Sequence, residues 1–464
     1  MTRIVLTVVL VACLPRWSEA QGTVVSPASP FQGSVPRGTP TVAPLMLTLR
    51  DAIERGLATN LGLLESAQDV RASRAAWLNS VSNLLPNVTA TVSRTTEQVN
   101  LASLGFTNIP GVPLPTVLGP FSYVDARAFV SQSVFNWSDI SSARSASASR
   151  VASDHAYNAA RELVVNAVAN AYLVAIADAA LVDATRAQLD TAIALHQKTV
   201  DQNQAGVVAS IDVLRARVQL QTERQRLIAA ENQLATDKLR LARVIGLPNG
   251  QAVTLTDVVP YRVLSATTVE QALERAYASR PDYQAVQAQV RAGELAREAA
   301  AAERLPSVSV DLNYGDIGSS FGRSHGTFTA VGAINIPIFQ GTTVRSKVLQ
   351  ADATLTRTRA ELDDLAGKID YDVRTAFLNL ASANELVAVA MSSVDLAMQT
   401  LGQAQDRLAA GVADNLEVIQ AQESVADANQ TYISSVYAHN AAKVSLALAT
   451  GTAEQSTLTN LGVK

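Results

Sequence analysis

The sequence predicts a mainly helical protein with a smaller β portion, built as two tandem copies of one unit. Three observations predict this fold: abundant alanine, a long internal repeat, and segments of period-two alternation at matching places in the two copies. The chain has 464 residues and is 48% hydrophobic but only 5% aromatic. The difference is largely alanine, which packs closely and loses no side-chain entropy in a helix. We therefore expect each unit to pair a long antiparallel helical hairpin with a β-hairpin.

The first residues are typical of an export signal. Arg3 precedes the apolar stretch 4–14, and small residues lead up to Ala20, as they do before a signal-peptidase site. We assign residues 1–20 to a signal peptide. Cys13, the only cysteine, lies in a sequence that also resembles a lipoprotein cleavage box, so lipidation of Cys13 and its removal with the signal peptide are both open.

A leader rich in proline and serine follows at 21–46, and its five prolines between 27 and 44 prevent regular helix or strand pairing. We expect it to be flexible or extended, with the folded body starting near Leu47. No later segment offers the roughly 18 uninterrupted apolar residues of a transmembrane helix. Any membrane span should therefore be a β-barrel.

Composition and motifs exclude several classes of function. The formal net charge is −4, without a lysine and arginine cluster, so the chain lacks the electrostatic pattern of a nucleic-acid-binding protein. We find no nucleophile elbow, phosphate-binding glycine loop or zinc signature. The sequence therefore predicts no catalytic residue, cofactor or metal ligand, and a protein that is not an enzyme.

The internal repeat becomes visible when the chain is aligned with itself. Agreement at many places in the same order predicts that both halves form one supersecondary unit, the first at 47–264 and the second, with a C-terminal tail, at 265–464. The matches are Thr48, Ala52 and Ala58 with Thr268, Ala272 and Ala278; Leu85-Pro86 with Leu305-Pro306; Ala171-Tyr172-Leu173 with Ala376-Phe377-Leu378; Gly206-Val207 with Gly411-Val412; and Gly246 with Gly451.

Each copy starts with two helices and continues into two strands. A short amphipathic helix leads into a second one that a Leu-Pro pair ends, because proline cannot continue a helix. Alternation of apolar and polar residues then predicts strands with two different faces. The predicted helices lie at about 48–60, 61–84, 268–280 and 282–304, and the predicted strands at about 88–94, 123–134, 308–315 and 327–338.

Two long helices follow the strands in each copy. The first pair is predicted at about 138–205 and 207–246, the second at about 342–410 and 412–450. Glycine ends the outgoing helix in both copies, since it accepts a left-handed conformation. Heptad stepping along the returning helices predicts coiled-coil packing. The heptad positions are Val213, Leu220, Leu227, Leu234 and Leu241, then Val418, Val425, Tyr432, His439 and Leu446.

The strands number four per chain, whereas small closed membrane barrels need about eight, so strands in a membrane would require oligomerisation. Such strands should turn serine and threonine towards the lumen and apolar residues towards lipid.

From about Leu47 to Gly451, these residues resemble the TolC-like outer-membrane efflux protein family. The motifs are Leu-Pro-x-Val at Leu85 and Leu305, Ser131-Gln-Ser-Val-Phe-Asn-Trp, Ile336-Pro-Ile-Phe-Gln-Gly, and the tip sequences from Gly206 to Asp212-Val-Leu and from Gly411 to Glu417-Val-Ile. The resemblance implies a homotrimer with a twelve-stranded barrel in the outer-membrane lipid and a twelve-helix barrel in the periplasm. It also implies a passive exit duct for efflux or secretion, coupled through a periplasmic adaptor, or membrane fusion protein, to an inner-membrane transporter.

The same resemblance places candidate functional residues at the two hairpin tips. The implied adaptor contacts are Ala205, Gly206, Val207, Ala410, Gly411 and Val412, and the pore-gate candidates are Asp212, Glu417, Leu408 and Ala413. Leu408 and Ala413 stand where the family often has a gating tyrosine and arginine. Three copies of Glu417 would form a negative ring that favours cations. Alternatively, Asp212 and Glu417 are simply acids at helix N-termini, interacting with the helix dipole.

Two other classes of function fit part of the pattern. A secreted coiled-coil scaffold or adhesin without a pore would explain the heptads and the export signal, but not two β-hairpins at matching points of a repeat. A periplasmic adaptor would share helical hairpins, but would have a single hairpin and a compact β-domain.

Overall fold

The computed structural model of the protein describes residues 29–105, 115–264, 267–412 and 415–463. Within these ranges the two halves repeat one order of elements: two shorter helices, a pair of antiparallel strands and two long helices. The first half comprises β1 (Leu45–Leu47), α1 (Leu49–Thr59), α2 (Leu61–Ser82), β2 (Asn87–Asn100), β3 (Val117–Phe135), α3 (Trp137–Gln204), α4 (Ser210–Val244) and β4 (Val253–Leu255). The second comprises α5 (Val269–Ser279), α6 (Pro281–Ala302), β5 (Ser307–Gly318), β6 (Ser324–Asn335), α7 (Thr343–Ala409), α8 (Asn415–Ala449) and α9 (Ala453–Leu461).

Capping boxes start the first helix of each half. The side chain of Thr48 accepts a hydrogen bond from the backbone N–H of Asp51, whose carboxylate accepts one from the Thr48 N–H. Thr268 and Gln271 make the same reciprocal pair at α5. Each box satisfies two backbone donors that a helix start would leave free, so both copies begin at the same point of the repeat.

The long helices are held by packing on one another. α3 has 68 residues and α7 has 67, which at 1.5 Å per residue makes each roughly 100 Å long. α7 runs unbroken through Gly367 and Gly402. All ten heptad residues of α4 and α8 are buried or half-buried, as coiled-coil packing requires.

An 18-residue window of α3 has a mean hydropathy of 1.6, and one of α7 has 1.3. By length and composition, both helices could therefore cross a membrane. Neither helix is an uninterrupted apolar stretch of the kind considered in the sequence analysis, because both carry charged residues along their length. Helices of a helical core can be equally apolar, and 39% of the α3 window is buried within the chain.

The four longer strands form one antiparallel sheet in the order β2-β3-β5-β6. The strand ends differ from the sequence expectation. β2 continues to Asn100 and β3 begins at Val117, because residues 95–100 pair with residues 117–123 through the backbone ladder, which ends with Asn100 opposite Val117. β6 ends at Asn335 rather than near 338, since Pro337 has no N–H to donate to a ladder.

The leader also differs from expectation over its described part, from Ser29 onwards. Residues 29–46 form a short 3-10 turn at Pro30–Gln32, are otherwise without helix, and are attached to the helices. The N–H of Val35 donates to the carbonyl of Thr59 at 2.9 Å, and the side-chain amide of Asn60 donates to the carbonyl of Phe31 at 2.7 Å. β1 pairs in parallel with β4 at its end. The folded body therefore begins before Leu47, and the predicted signal peptide with Cys13 lies outside the described residues.

The main hydrophobic core lies where the short helices and the chain ends pack on the middle of α3. Val164, Val168 and Tyr172 of α3 are fully buried there. The hydroxyl of Tyr172 donates to the carbonyl of Leu47 at 2.9 Å. Glu162 accepts hydrogen bonds from the N–H groups of Ala453 and Glu454 at the start of α9. This core fixes β1 and α9 around α3, midway between the sheet and the hairpin tips.

Candidate functional site at the hairpin tips and the sheet

The first tip is a helix-ending turn made by glycine. Gly206 has a φ of +73°, and its N–H donates to the carbonyl of Asn203 at 2.9 Å. The N–H of Val207 donates to the carbonyl of Gln202 at 2.8 Å. This pair of bonds is a Schellman motif. It stops α3 at Ala205, so that α4 can return beside α3.

The second tip repeats this geometry. Gly411 has a φ of +74°, its N–H donates to the carbonyl of Leu408 at 3.1 Å, and the N–H of Val412 donates to the carbonyl of Arg407 at 3.0 Å. The turn ends α7 at Ala410, the second implied contact position. Ala413, a gate candidate, lies outside the described residues.

Apolar side chains project from both turns. Val207 is 70% exposed and Val412 is 67% exposed. Ile211 and Leu214, on the first turns of α4, are also more than half exposed. Each tip of the chain therefore presents apolar side chains at its surface.

Leu408 faces inward rather than outward. It packs against a cluster of buried side chains that joins α3 to the second hairpin, here called the tip cluster: Leu195, Ala404, Val418, Ile419 and Ala421. Because Leu195 belongs to the first hairpin, the tip cluster holds the two hairpins together close to their turns.

The two acidic gate candidates lie in the first turns of α4 and α8. Asp212 pairs with Arg215 on its own helix, with 3.3 Å between Oδ1 and Nη1. Glu417 pairs across the turn with Arg407 of α7, with 3.0 Å between Oε1 and Nε. Both positions also suit an interaction with the helix dipole. The sequence analysis did not single out Arg407. Its place in the last turn of α7, ten residues before Glu417, could have indicated an ion pair across the turn.

A pair of carboxylates lies between the two helices of the first hairpin. Asp237 of α4 is 1% exposed and accepts a hydrogen bond from Arg240 Nη1 at 2.9 Å. Asp178 of α3 lies beside it. Burial, and then the neighbouring Asp237 carboxylate, raise the pKa of Asp178 to about 6, against a smaller opposing effect of Arg240.

We expect Asp178→Asn to stabilise the protein at neutral pH. The folded-state pKa of Asp178 lies above the ordinary value of 3.8, so ionisation costs stability as pH rises from about 4 to about 6, and the full cost persists above that. The asparagine variant lacks this cost, and its melting temperature should exceed that of the wild type by a few degrees at pH 7.5 and by less at pH 4.5. Thermal unfolding in detergent at both pH values checks this, with the exposed Asp183→Asn as a matched control; an equal gain at both values would contradict it.

The sheet has one mainly polar and one mainly apolar face, because residues directly opposite in an antiparallel ladder share a face. The main exceptions are Phe129, Ile317 and Val331 on the polar face and Arg94 and Asp316 on the apolar face. The polar face carries Thr89, Thr91, Ser93, Asp125, Arg127, Ser131, Ser309, Asp311, Asn313, Thr327 and Thr329. The other face carries Val88, Ala90, Val92, Val124, Ala126, Ala128, Val130, Val310, Leu312, Phe328, Ala330 and Ile334. Several of these apolar side chains, such as Phe328 at 78%, are widely exposed. An exposed apolar face of this extent is unusual for a surface that contacts only water.

Among the described residues, no group of three or more histidine, cysteine, aspartate or glutamate side chains is arranged to hold a metal ion.

A family model for outer membrane efflux proteins matches residues 52–247 and 272–452, which together make up most of the chain and coincide with the two halves. The chain belongs to the outer membrane efflux protein family. Membership confirms the resemblance to the TolC-like outer-membrane efflux proteins that the sequence motifs indicated. It also confirms an outer-membrane efflux channel that extends into the periplasm.

Relatives named as efflux pump proteins match most of the length of the chain. Over 424 residues the chain is 26% identical to the probable efflux pump outer membrane protein TtgC and to the antibiotic efflux pump outer membrane protein ArpC, both of Pseudomonas putida, covering 87% of this chain and 82% of each relative. The family match in both halves of the chain argues against the two alternative classes, a secreted scaffold or adhesin without a pore and a periplasmic adaptor with a single hairpin.

Solved structures show the same fold at low sequence identity. The CmeC outer membrane channel of Campylobacter jejuni superposes with a TM-score of 0.75 at 15% identity, covering 89% of this chain and 88% of that one. VceC of Vibrio cholerae gives 0.74 at 17%, covering 87% and 96%, and MtrE of Neisseria gonorrhoeae gives 0.72 at 19%, covering 87% and 89%. The predicted fold class, a helical barrel with a β portion built from two repeats, is thereby confirmed.

Proposed function

We propose that three copies of this chain close a passive exit duct, in which twelve strands cross the outer membrane and twelve long helices cross the periplasm. The observation that carries the proposal is the four-stranded sheet, whose edge strands β2 and β6 each have one unpaired side within the described protomer. An open edge in lipid leaves backbone groups unsatisfied at several kcal/mol each. Pairing β2 of one copy with β6 of the next removes both edges.

Exposed apolar residues on the long helices support the same assembly. Leu378, Leu386 and Val389 of α7 are each more than half exposed in one protomer. A contiguous apolar face of this kind fits a partner surface, and in a trimer the helices of neighbouring copies cover it.

The tips supply the second part of the proposal. Ala205, Gly206 and Val207, with Ala410, Gly411 and Val412, form two similar apolar ends, which suit contact with a periplasmic adaptor that couples the duct to an inner-membrane pump. The duct itself carries out no chemistry and is not an enzyme. Energy for transport comes from the pump.

The proposal is tested by counting subunits and measuring conductance on the detergent-extracted protein. Native mass spectrometry should show three copies, and the same sample should give discrete conductance steps in a planar bilayer. A monomer that stays soluble without detergent would contradict the proposal.

At the tip, we propose that Arg407 balances the charge of Glu417 and so weakens the negative ring expected from three glutamates. Arg407→Gln removes three positive charges from the pore entrance and should raise the ratio of cation to anion permeability by roughly twofold at 0.1 M salt. The double variant Arg407→Gln with Glu417→Gln should return near the wild-type ratio. Reversal potentials in a KCl gradient measure this ratio, and an unchanged value for Arg407→Gln would place the pair away from the pore.

A further inference from the structure

The polar face of the sheet carries four charged side chains within its described strands. They are Glu97, Asp125, Arg127 and Asp311. Their positions along the strands differ: Asp311 is the fifth residue of β5, close to the helical end of the sheet, whereas the others lie further towards the opposite end. A charge on this face is exposed to whatever passes through the barrel.

Arg127 is held in a network and has its charge balanced. Its guanidinium lies 3.3 Å from Oδ1 of Asp125, and it donates to Oδ1 of Asn313 at 2.8 Å and to Oγ1 of Thr327 at 3.2 Å. Gly315, directly opposite Arg127, leaves room for this arrangement, because a Cβ there would lie 2.6 Å from the Arg127 Cα. Arg127 therefore links β3 to β5 and β6. Arg127 and Asp125 together carry no net charge.

Of the four charged residues, Asp311 and Glu97 are exposed and outside this network, but Glu97 lies towards the far end of β2, away from the helices. Asp311 lies close to the helices. It is exposed, lies opposite Ser131 on β3 and Val331 on β6, and within the described ranges it has no ion pair and no side-chain hydrogen bond. It faces a concavity of about 800 Å³ whose other polar lining includes Ser131, Ser309 and Asp139.

The chemistry of this concavity favours positive charge. None of its lining residues is basic. Asp139 accepts a hydrogen bond from the Asn136 amide at 2.6 Å, and burial raises its pKa, so Asp311 is the more exposed carboxylate of the two.

We infer that Asp311 is a residue that determines the charge preference of the duct, and that the three copies form a negative ring at the base of the β-barrel which favours cationic solutes. This inference rests on the proposed trimer, in which every solute leaving the helical tunnel passes the ring. A ring of carboxylates raises the local concentration of cations. At about 8 Å from the axis and 0.1 M salt, the effect is roughly threefold. Glu417 contributes less, because Arg407 balances it.

The test compares Asp311→Asn with Asp316→Asn, a matched control on the same strand but on the apolar face. Because the same potential enriches cations and depletes anions by about the same factor, Asp311→Asn should lower the ratio of cation to anion permeability roughly tenfold in a KCl gradient across a planar bilayer. Asp311→Glu and Asp316→Asn should keep the wild-type ratio. An unchanged ratio in Asp311→Asn, or an equal fall in Asp316→Asn, would overturn the inference.

A second measurement does not depend on how Asp311→Asn folds. Asp311→Cys, labelled in the purified channel with a negatively charged thiol reagent, should recover the wild-type preference, and a positively charged reagent should reverse it. No response to either reagent would overturn the inference while leaving the duct intact. By contrast, a wild-type protein that forms no conducting trimer would refute the proposed function, and with it the ring.

Discussion

Gly56→Leu is expected to abolish the folded channel, and Gly56→Ala to weaken it. Gly56 lies on α1 where α1 packs on α3, and a Cβ added there would lie 2.6 Å from Cγ2 of Val168 and 3.5 Å from Cγ1 of Val164. Both valines are fully buried, and valine is stiff at χ1, so neither can turn away easily. Overpacking of this kind costs about 1–3 kcal/mol for a methyl group and more for leucine.

The measurement is the thermal unfolding of the detergent-extracted protein, together with the amount of protein recovered from the outer membrane. Gly367→Ala is the matched control, since Gly367 is also helical but an added Cβ there would have no packing neighbour within 4 Å beyond its own helix backbone. It should gain up to about 1 kcal/mol, because alanine is the better helix former. Equal melting temperatures for the two alanine variants would show that the α1 contact with α3 is not tight.

The double variant Val207→Asp with Val412→Asp should uncouple the duct from its adaptor without disturbing the trimer. Both valines are exposed in the turns, so the substitutions should cost the folded protomer little stability. If an adaptor covers them, each aspartate must leave water without a compensating partner, which costs several kcal/mol. We expect the affinity for the periplasmic adaptor of the same system to fall at least about a hundredfold.

Binding of the adaptor to the purified trimer, measured by biolayer interferometry, checks this expectation. Val258→Asp is the control, because Val258 is 84% exposed in the segment after β4, well away from either turn. Native mass spectrometry of all variants establishes that the trimer persists. Unchanged binding by the double variant would exclude the two turns as the adaptor contact.

The sequence alone located the main helices and strands, because the features that start, end or pattern them lie within short segments of the chain. Leu85-Pro86 and Leu305-Pro306 mark where α2 and α6 give way to strands, since proline ends helices wherever they lie. Alternation along Val88 to Val92 already separates the two faces of the sheet. The tip glycines are readable for the same reason, because a left-handed φ favours glycine in any helix-ending turn.

The ends of strands and the attachment of the leader were not readable in this way. Asn100 and Val117 belong to strands because they pair with each other in the antiparallel ladder. No property of either residue alone indicates this pairing. The segment from Ser29 to Pro44 carries prolines that argue against regular structure, yet Val35 bonds to Thr59 in the tertiary fold. Contacts of this kind depend on partners that lie far away in the sequence.

The sequence by itself therefore determined the two-copy architecture, the helical hairpins and the two-faced strands, because each follows from a period, a proline or a glycine within a short segment. Only the tertiary structure decided that Arg407 faces Glu417, that Leu408 packs into the tip cluster, and that Arg127 is balanced by Asp125 whereas Asp311 is not. The physical reason is that charge compensation and burial belong to pairs of residues, and the folded chain alone determines which residues become pairs.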